Sequence, residues 1–224
     1  MTILALEFSS QRRSVAALTR DADGLERIGR ACEAVGRATP AFSLIERALA
    51  KAGLAREAVD RIAVGLGPGS YTGIRAAIAI AQGWQLARGV ALVGVESVRC
   101  LAVQLHAAGE RGRRHLVVDA QRREFYRATY ELAADGPHAV EPLRIVPAAE
   151  IEACLGRGET VLGPDVAATC RGARNAWPDA ITAARISRSS DAVLPGEALT
   201  PIYLREVSFL KALPPRGSDR LSAR

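Results

Sequence analysis

Aromatic side chains are scarce: Phe, Tyr and Trp together make up 4% of the 224 residues. A core with few large rings must be filled by Ala, Val, Leu and Ile, which favours close helix–helix and helix–sheet approach. Hydrophobic residues still reach 49%, which excludes a disordered chain and suffices for a core without covalent staples. The four cysteines, Cys32, Cys100, Cys154 and Cys170, form no CxxC pair, and no histidine stands near one at metal-ligand spacing. Neither a disulfide framework nor a zinc site is expected, and the thiols read as reduced. Lysine is nearly absent: Lys51 and Lys211 stand alone among 30 basic residues, in a chain of net charge +6 and pI near 9.6. A basic surface can steer a protein toward RNA. Here the arginines are scattered, with short clusters at Arg12-Arg13, Arg111 to Arg114 and Arg122-Arg123, and no aromatic-interleaved RNA motif accompanies them. Long apolar runs are also missing. The most apolar stretch, Ile74 to Ala81, is interrupted by Arg75, and the N-terminal Thr2 to Leu6 meets Glu7 too early for a signal peptide. A cytoplasmic protein that does not enter a membrane is expected.

What is present reads as α/β. Ile3 to Phe8, Ser14 to Leu18 and Leu25 to Ala34 alternate with turn signals, as an antiparallel meander would. Thr39-Pro40 resembles a helix start, followed at helical spacing by Phe42, Leu44, Ile45, Ala48 and Leu49, with Gly53 as the stop. A strand over 61–66, a helix over 72–88, a strand over 90–95 and a helix capped by Ser97 follow. After a polar, Gly-containing stretch at 109–114, His115 to Asp119 and Phe125 to Leu132 repeat the opening pattern. Leu4-Ala5-Leu6-Glu7 and Leu116-Val117-Val118-Asp119 lie 112 residues apart, which is half the chain. A strand, a carboxylate, a polar turn and a returning strand at the start of both halves point to duplication. The predicted units are therefore 1–108, a ribonuclease-H-like lobe, and 109–224, a smaller second lobe with a polar tail. In the second, a short helix at 147–155 and a strand at 159–162 are predicted, and 171–200 carry little periodicity.

The most specific feature is Val64-Gly65-Leu66-Gly67-Pro68-Gly69-Ser70-Tyr71-Thr72-Gly73-Ile74-Arg75, where a strand enters a Gly-rich turn and a helix leaves it. Gly67, Gly69 and Gly73 allow positive φ and close backbone approach, and Ser70 or Thr72 can cap the unpaired helical N–H groups. The place suits an anion or a tight structural turn, yet it matches neither the Walker A loop nor the dinucleotide fingerprint. The helix beyond is lined with small residues, Ala76, Ala77, Ala79, Ala81 and Gly83, beside Ile74, Ile78 and Trp84. Such a surface admits another helix closely, from this chain or from another.

The run Gly67 to Arg75 with Ala81-Gln82-Gly83 resembles the signature of the TsaB (YeaZ) family. Ser14-Val15-Ala16, Gly94-Val95-Glu96-Ser97, Val118-Asp119-Ala120, Glu124-Phe125-Tyr126 and Pro201 to Arg205 with Leu213-Pro214 match it in order. Three departures stand out. Glu7 occupies a position where the family and its relatives usually carry Asp, the segment Ala38-Thr39-Pro40 lacks the family's His-Ser-type opening, and the stretch between about 165 and 200 is short, with a helix expected to be missing there.

The resemblance implies an actin-like ATPase superfold of two duplicated lobes and a scaffold role in tRNA threonylcarbamoyladenosine synthesis. The expected partners are a catalytic TsaD-like subunit and a TsaE-like ATPase. A homodimer is expected in their absence, with tRNA contacted only through the complex. The implied partner interface is Phe42, Ile45, Leu49, Tyr71, Ile74, Ala77, Ile78, Ala81 and Trp84. The Gly-rich turn of Gly67, Gly69, Ser70, Thr72, Gly73 and Arg75 lies beside it, and Glu7 with Asp119 would face a degenerate nucleotide cleft. The histidines His106, His115 and His138 make no H-x-x-x-H pair, so a TsaD-like metal site is not expected. No nucleophilic triad motif is present, and no catalytic residue, cofactor or metal is assigned. The alternative readings are a stand-alone actin-like ATP-dependent enzyme and a basic RNA-binding module.

Overall fold

The computed structural model describes residues 1–34 and 41–204. The expected helix start at Thr39-Pro40 and the polar tail beyond Leu204 lie outside the described residues.

Two five-stranded sheets have one topology. The first comprises β1 (Ile3–Glu7), β2 (Arg12–Arg20), β3 (Glu26–Ala34), β4 (Arg61–Gly65) and β5 (Ala91–Val95), in the order β3-β2-β1-β4-β5. The second comprises β6 (Gly112–Asp119), β7 (Glu124–Leu132), β8 (Pro137–Pro147), β9 (Val161–Gly163) and β10 (Arg174–Asn175), in the order β8-β7-β6-β9-β10. In each, the first strand pairs antiparallel with the second and parallel with the fourth, and the fourth and fifth are parallel. The duplication expected from the sequence is thus present strand by strand, and the fold is the actin-like two-lobed one.

Helices α1 (Ala41–Ala52) and α2 (Tyr71–Arg88) cover one face of the first sheet. The α1 pattern explains its docking: Ala41, Leu44, Ile45, Ala48, Leu49 and Ala52 all point inward. The helix α2 begins at Ser70, whose hydroxyl accepts from Gly73 N at 3.3 Å, and ends at Gly89 in the left-handed conformation. On the opposite face Ile3, Ala5, Ala16, Leu18, Ala63 and Val93 meet Ala180, Ala183 and Ala184 of α5 (Ala180–Arg188). The helix α3 (Ser97–Ala107) sends Val98, Leu101, Ala102 and Leu105 onto the second sheet, whose other face is closed by α4 (Ala148–Gly156).

The lobes therefore exchange their last helices: α3 follows the first sheet but packs on the second, and α5 does the reverse. This corrects the boundary drawn at 109–224. The helix α5 fills the stretch of 165–200 where a helix was expected to be missing, and residues after Trp177 return to the first lobe. There Leu194 N bonds Leu92 O at 2.9 Å, Leu199 enters the first core, and Ile202 N bonds Leu66 O at 2.9 Å. The α3 start also differs from expectation: Glu96, not Ser97, is its N-cap residue, because the Ser97 hydroxyl is engaged elsewhere. The four cysteines are free, and among the described residues no helix is long and apolar enough to cross a membrane.

Candidate functional site

The Gly-rich motif is built against the first hairpin. Gly67 has φ 90° and Gly69 φ 151°, and a Cβ on Gly69 would overlap the Ser9 carbonyl. A Cβ on Gly73 would overlap the Phe8 carbonyl, and one on Gly65 the Glu7 carboxylate. Ser70 N donates to Ser9 O at 2.7 Å. The glycines thus serve the close approach of two backbones, which accounts for their spacing without a phosphate.

The Glu7 side chain lies under this turn. It is fully buried, accepts from Ser9 N at 2.9 Å and receives the Ser97 hydroxyl at 2.9 Å. Ser97 Oγ in turn accepts from Gly67 N at 3.1 Å. Burial pushes the Glu7 carboxyl above its ordinary range, opposed by the hydrogen bonds from Ser9 and Ser97. Asp119 holds the matching place in the second hairpin and uses the matching local bond. Its Oδ1 accepts from Gln121 N at 2.7 Å, two residues on, as Glu7 does from Ser9. Both carboxylates end the first strand of a sheet, as expected. Only Asp119 reaches the cleft, so the pairing of Glu7 with Asp119 across a nucleotide cleft is corrected: Glu7 is sealed beneath Gly65.

The cleft has a volume of about 460 Å³. Ser9, Ser10 and Tyr71 line it from the first lobe, and Asp119, Gln121 and Asp165 from the second. Gln121, Arg122 and Arg123 have φ of 63°, 58° and 62°, three successive non-glycine residues in the left-handed region. Each costs on the order of 1–2 kcal/mol, so surrounding contacts hold this hairpin tip. Ala148 N bonds Arg123 O at 3.0 Å and supplies one of them. The two exposed carboxylates, Asp119 and Asp165, both come from the second lobe, so the cleft offers hydrogen bonds to a ligand but not the two-sided acidic clamp a magnesium nucleotide uses.

The expected interface residues divide. Phe42 is 68% exposed and Tyr71 54% exposed, and Trp84 is half-buried. Ile45, Leu49, Ile74, Ala77, Ile78 and Ala81 are buried in the first core, so they pack on their own sheet. The outward face of α2 is a different small-residue stripe, Thr72, Ala76, Ala79 and Gly83, leading to Leu86 at 89% exposure. A Cβ on Gly83 meets nothing within 4 Å among the described residues. Sequence reading named Ala76, Ala79 and Gly83 among the small residues but placed the interface on Ala77 and Ala81, because α2 is small or apolar nearly all round, which leaves the phase of its buried face undetermined.

At the start of α2, Tyr71 stacks on Tyr203 with centroids 5.2 Å apart. Arg75 lies 5.1 Å over the Tyr71 ring and donates to its hydroxyl at 2.6 Å. Burial, with Tyr71 beside it, pushes the Tyr203 phenol up to about 12. Two distant matched segments, the Gly-rich run and Pro201 to Leu204, therefore meet.

Comparison with known proteins gives concordant results. Residues 39–152, half of the chain, match the family model described as "TsaD: tRNA N6-adenosine threonylcarbamoyltransferase". An uncharacterized protein of Mycobacterium tuberculosis is 39% identical over 95 residues, 42% of this chain and 41% of that one. The protein named tRNA threonylcarbamoyladenosine biosynthesis protein TsaB is 32% identical over 112 residues in Haemophilus influenzae, 48% of this chain and 46% of that one. In Escherichia coli the protein of that name is 30% identical over 93 residues, 42% of this chain and 40% of that one. The matched region thus spans less than half the length of these curated relatives. The solved structure titled "YeaZ from Pseudomonas aeruginosa" superposes with TM-score 0.71 at 25% identity, over 91% of this chain and 99% of that one.

Proposed function

The chain belongs to the family described by the TsaD model, as a TsaB-type member, and from that premise we propose that it is a non-catalytic partner subunit in tRNA threonylcarbamoyladenosine synthesis. It docks on a TsaD-like catalytic subunit and holds it in an active arrangement, with a TsaE-like ATPase as a further member. The complex transfers a threonylcarbamoyl group to the adenosine next to the anticodon. In the absence of its partner the chain pairs with itself, and tRNA is reached through the complex.

The observation that carries this reading is the state of Glu7. An actin-like enzyme brings a carboxylate from each hairpin to its nucleotide and metal. Here one of the two is buried and fully hydrogen-bonded to Ser9 and Ser97. The docking face follows from exposure: Phe42 on α1 and the Thr72–Ala76–Ala79–Gly83–Leu86 stripe on α2. Apolar surface left in water costs about 25 cal/mol per Å², and small residues let a second helix come close.

The test is co-purification of the chain with the TsaD-like subunit of its own cell, with ATP hydrolysis measured on the isolated chain. Joint elution, and no turnover without the partner, are the expected results. Metal-dependent ATP turnover by the isolated chain would sink this reading and favour the stand-alone enzyme.

A further inference from the structure

Away from the cleft, on the α4 side of the second sheet, three metal-binding side chain types from separate segments converge. His115 comes from β6, Cys154 from α4 and Glu159 from the turn entering β9. Imidazole, thiol and carboxylate each offer a donor atom within 4.8 Å of the other two. The His115 side chain is 4% exposed and Cys154 is fully buried, while Glu159 at 31% opens the group to solvent.

The imidazole is oriented as a ligand is. Its Nδ1 lies 3.0 Å from Thr129 Oγ1, which fixes the ring. Its Nε2 lies 3.0 Å from Glu159 Oε2, yet it makes no aligned hydrogen bond within the described residues. The distance suits an ion pair, but the ring direction at Nε2 is not aligned on the carboxylate. With the ring held at Nδ1, Nε2 is a buried nitrogen without an aligned partner, and the Glu159 carboxylate and the Cys154 sulfur lie beside it. A buried polar nitrogen left without a partner costs free energy, which a cation held by these three groups would recover.

The surroundings hold rather than neutralise the set. Arg157 grips the carboxylate from outside, Nε to Oε1 at 2.8 Å and Nη2 to Oε2 at 2.9 Å, leaving further lone pairs free. Arg157 Nη2 and Arg127 Nη1 lie 3.4 and 3.6 Å from Cys154 Sγ. The Arg127 charge is offset by Glu141 and Glu150, with which it pairs.

We infer that His115 Nε2, Cys154 Sγ and a Glu159 carboxylate oxygen form a three-ligand site for one zinc-type divalent cation, with the fourth tetrahedral position left to solvent. Nitrogen, thiolate and carboxylate form the mixed set that zinc takes, at about 2.0–2.3 Å, whereas magnesium and calcium select oxygen alone. Binding requires the donors to settle at roughly 3.5 Å from one another, a distance set by those bond lengths, so His115 Nε2 and Glu159 Oε2 part slightly from 3.0 Å while the wider pairs draw in. The thiol proton passes to solvent as the metal–sulfur bond forms, and no redox change occurs. The separation in sequence, 39 residues from His115 to Cys154, explains why spacing rules excluded zinc. The sheet brings together what no short motif joins.

The test titrates the full chain, freed of metal by a chelator, with cobalt(II). The expected result is one equivalent bound, a near-ultraviolet thiolate-to-cobalt charge-transfer band, and displacement of that band by zinc. Cys154→Ser removes the band, Glu159→Gln weakens cobalt binding at least tenfold, and Cys170→Ser, a buried cysteine of the same core, leaves the band intact. Should Cys154→Ser fail to fold, the wild-type titration still decides. Absence of a stoichiometric thiolate band, or a band that survives loss of Cys154, overturns the assignment.

Discussion

The two lobes share strand order and direction but close the gap between their fourth and fifth strands differently. In the first lobe the 18-residue α2 fills it. In the second, a three-residue turn of 3-10 helix at Val166–Ala168 does. There Val166, Cys170 and Ala173 join α4 to seal the sheet. The second lobe therefore shows what this topology needs at that place, and it is little. The inner face of α2 is spent on the first core, but its outer stripe of small residues is not demanded by the fold. A feature kept in one copy and dispensed with in the other points to a use outside the lobe itself.

The sharpest way to break this comparison is to place a charge on each face of α2. Ala77 is fully buried, and Ala77→Arg forces an unpaired guanidinium into the core. A loss of more than about 4 kcal/mol is expected, enough to unfold the chain. Denaturant unfolding followed by circular dichroism checks it, and a stable Ala77→Arg variant would mean that the inner face is not core. The next effect is smaller. Gly69→Ala puts a methyl group into the Ser9 carbonyl at φ 151°, and a cost of about 2–4 kcal/mol is expected from clash and backbone strain. The same measurement reads it. A cost below about 0.5 kcal/mol would show that the hairpin and the Gly-rich turn are less tightly joined than their geometry implies.

Ala79→Arg and Gly83→Arg sit on the outer stripe, where the described residues leave room. Their stability should change by less than about 1 kcal/mol, and Gly83→Arg should gain slightly, because glycine is a poor helix former. Association should fail instead, through steric and charge conflict at a close helix contact. Sedimentation of the isolated chain and co-elution with the TsaD-like subunit separate the two effects. A folded Ala79→Arg variant that still associates normally removes the outer stripe from the docking face.

Most of the first lobe was legible in the sequence, and the reasons are local. Its strands are apolar runs cut by Gly, Asp and Ser, and the inward pattern of α1 repeats at helical spacing. The second lobe resisted for equally physical reasons. The strand β8 carries Pro137, Pro142 and Pro147 and is mostly exposed, as an edge strand can be, so it has no apolar alternation to read. The helix α5 buries only small residues, Ala180, Ala183, Ala184 and Ser187, beneath a charged outer face. The site was half legible. The Gly-rich run and the two hairpin carboxylates stood out by type and position. The burial of Glu7 did not, because it depends on the missing side chain at Gly65, a neighbour only in the folded sheet.

The burial of Glu7, the respect in which the two hairpins differ most, sets a pH dependence of stability. Glu7 keeps its proton to a higher pH in the folded chain than in the unfolded one, because burial disfavours its charge. Over the interval between the two pKa values, the native state therefore binds more protons than the unfolded state. Stability must then fall as pH rises from about 4.5, the unfolded value, and level off once the folded value is passed. The decline amounts to about 1.4 kcal/mol for each pH unit that separates the two values. Glu7→Gln keeps the shape and one acceptor for Ser9 N, and its amide must find a new partner near Ser97, a cost of about 1 kcal/mol at low pH. Above the interval that cost is offset, since no buried carboxyl remains to ionise. Unfolding curves collected between pH 4 and pH 8 should show the decline in the wild type and a flatter profile in Glu7→Gln. An unchanged profile would mean that Glu7 ionises freely in the fold, and the first lobe would then offer a charged carboxylate to match Asp119 after all.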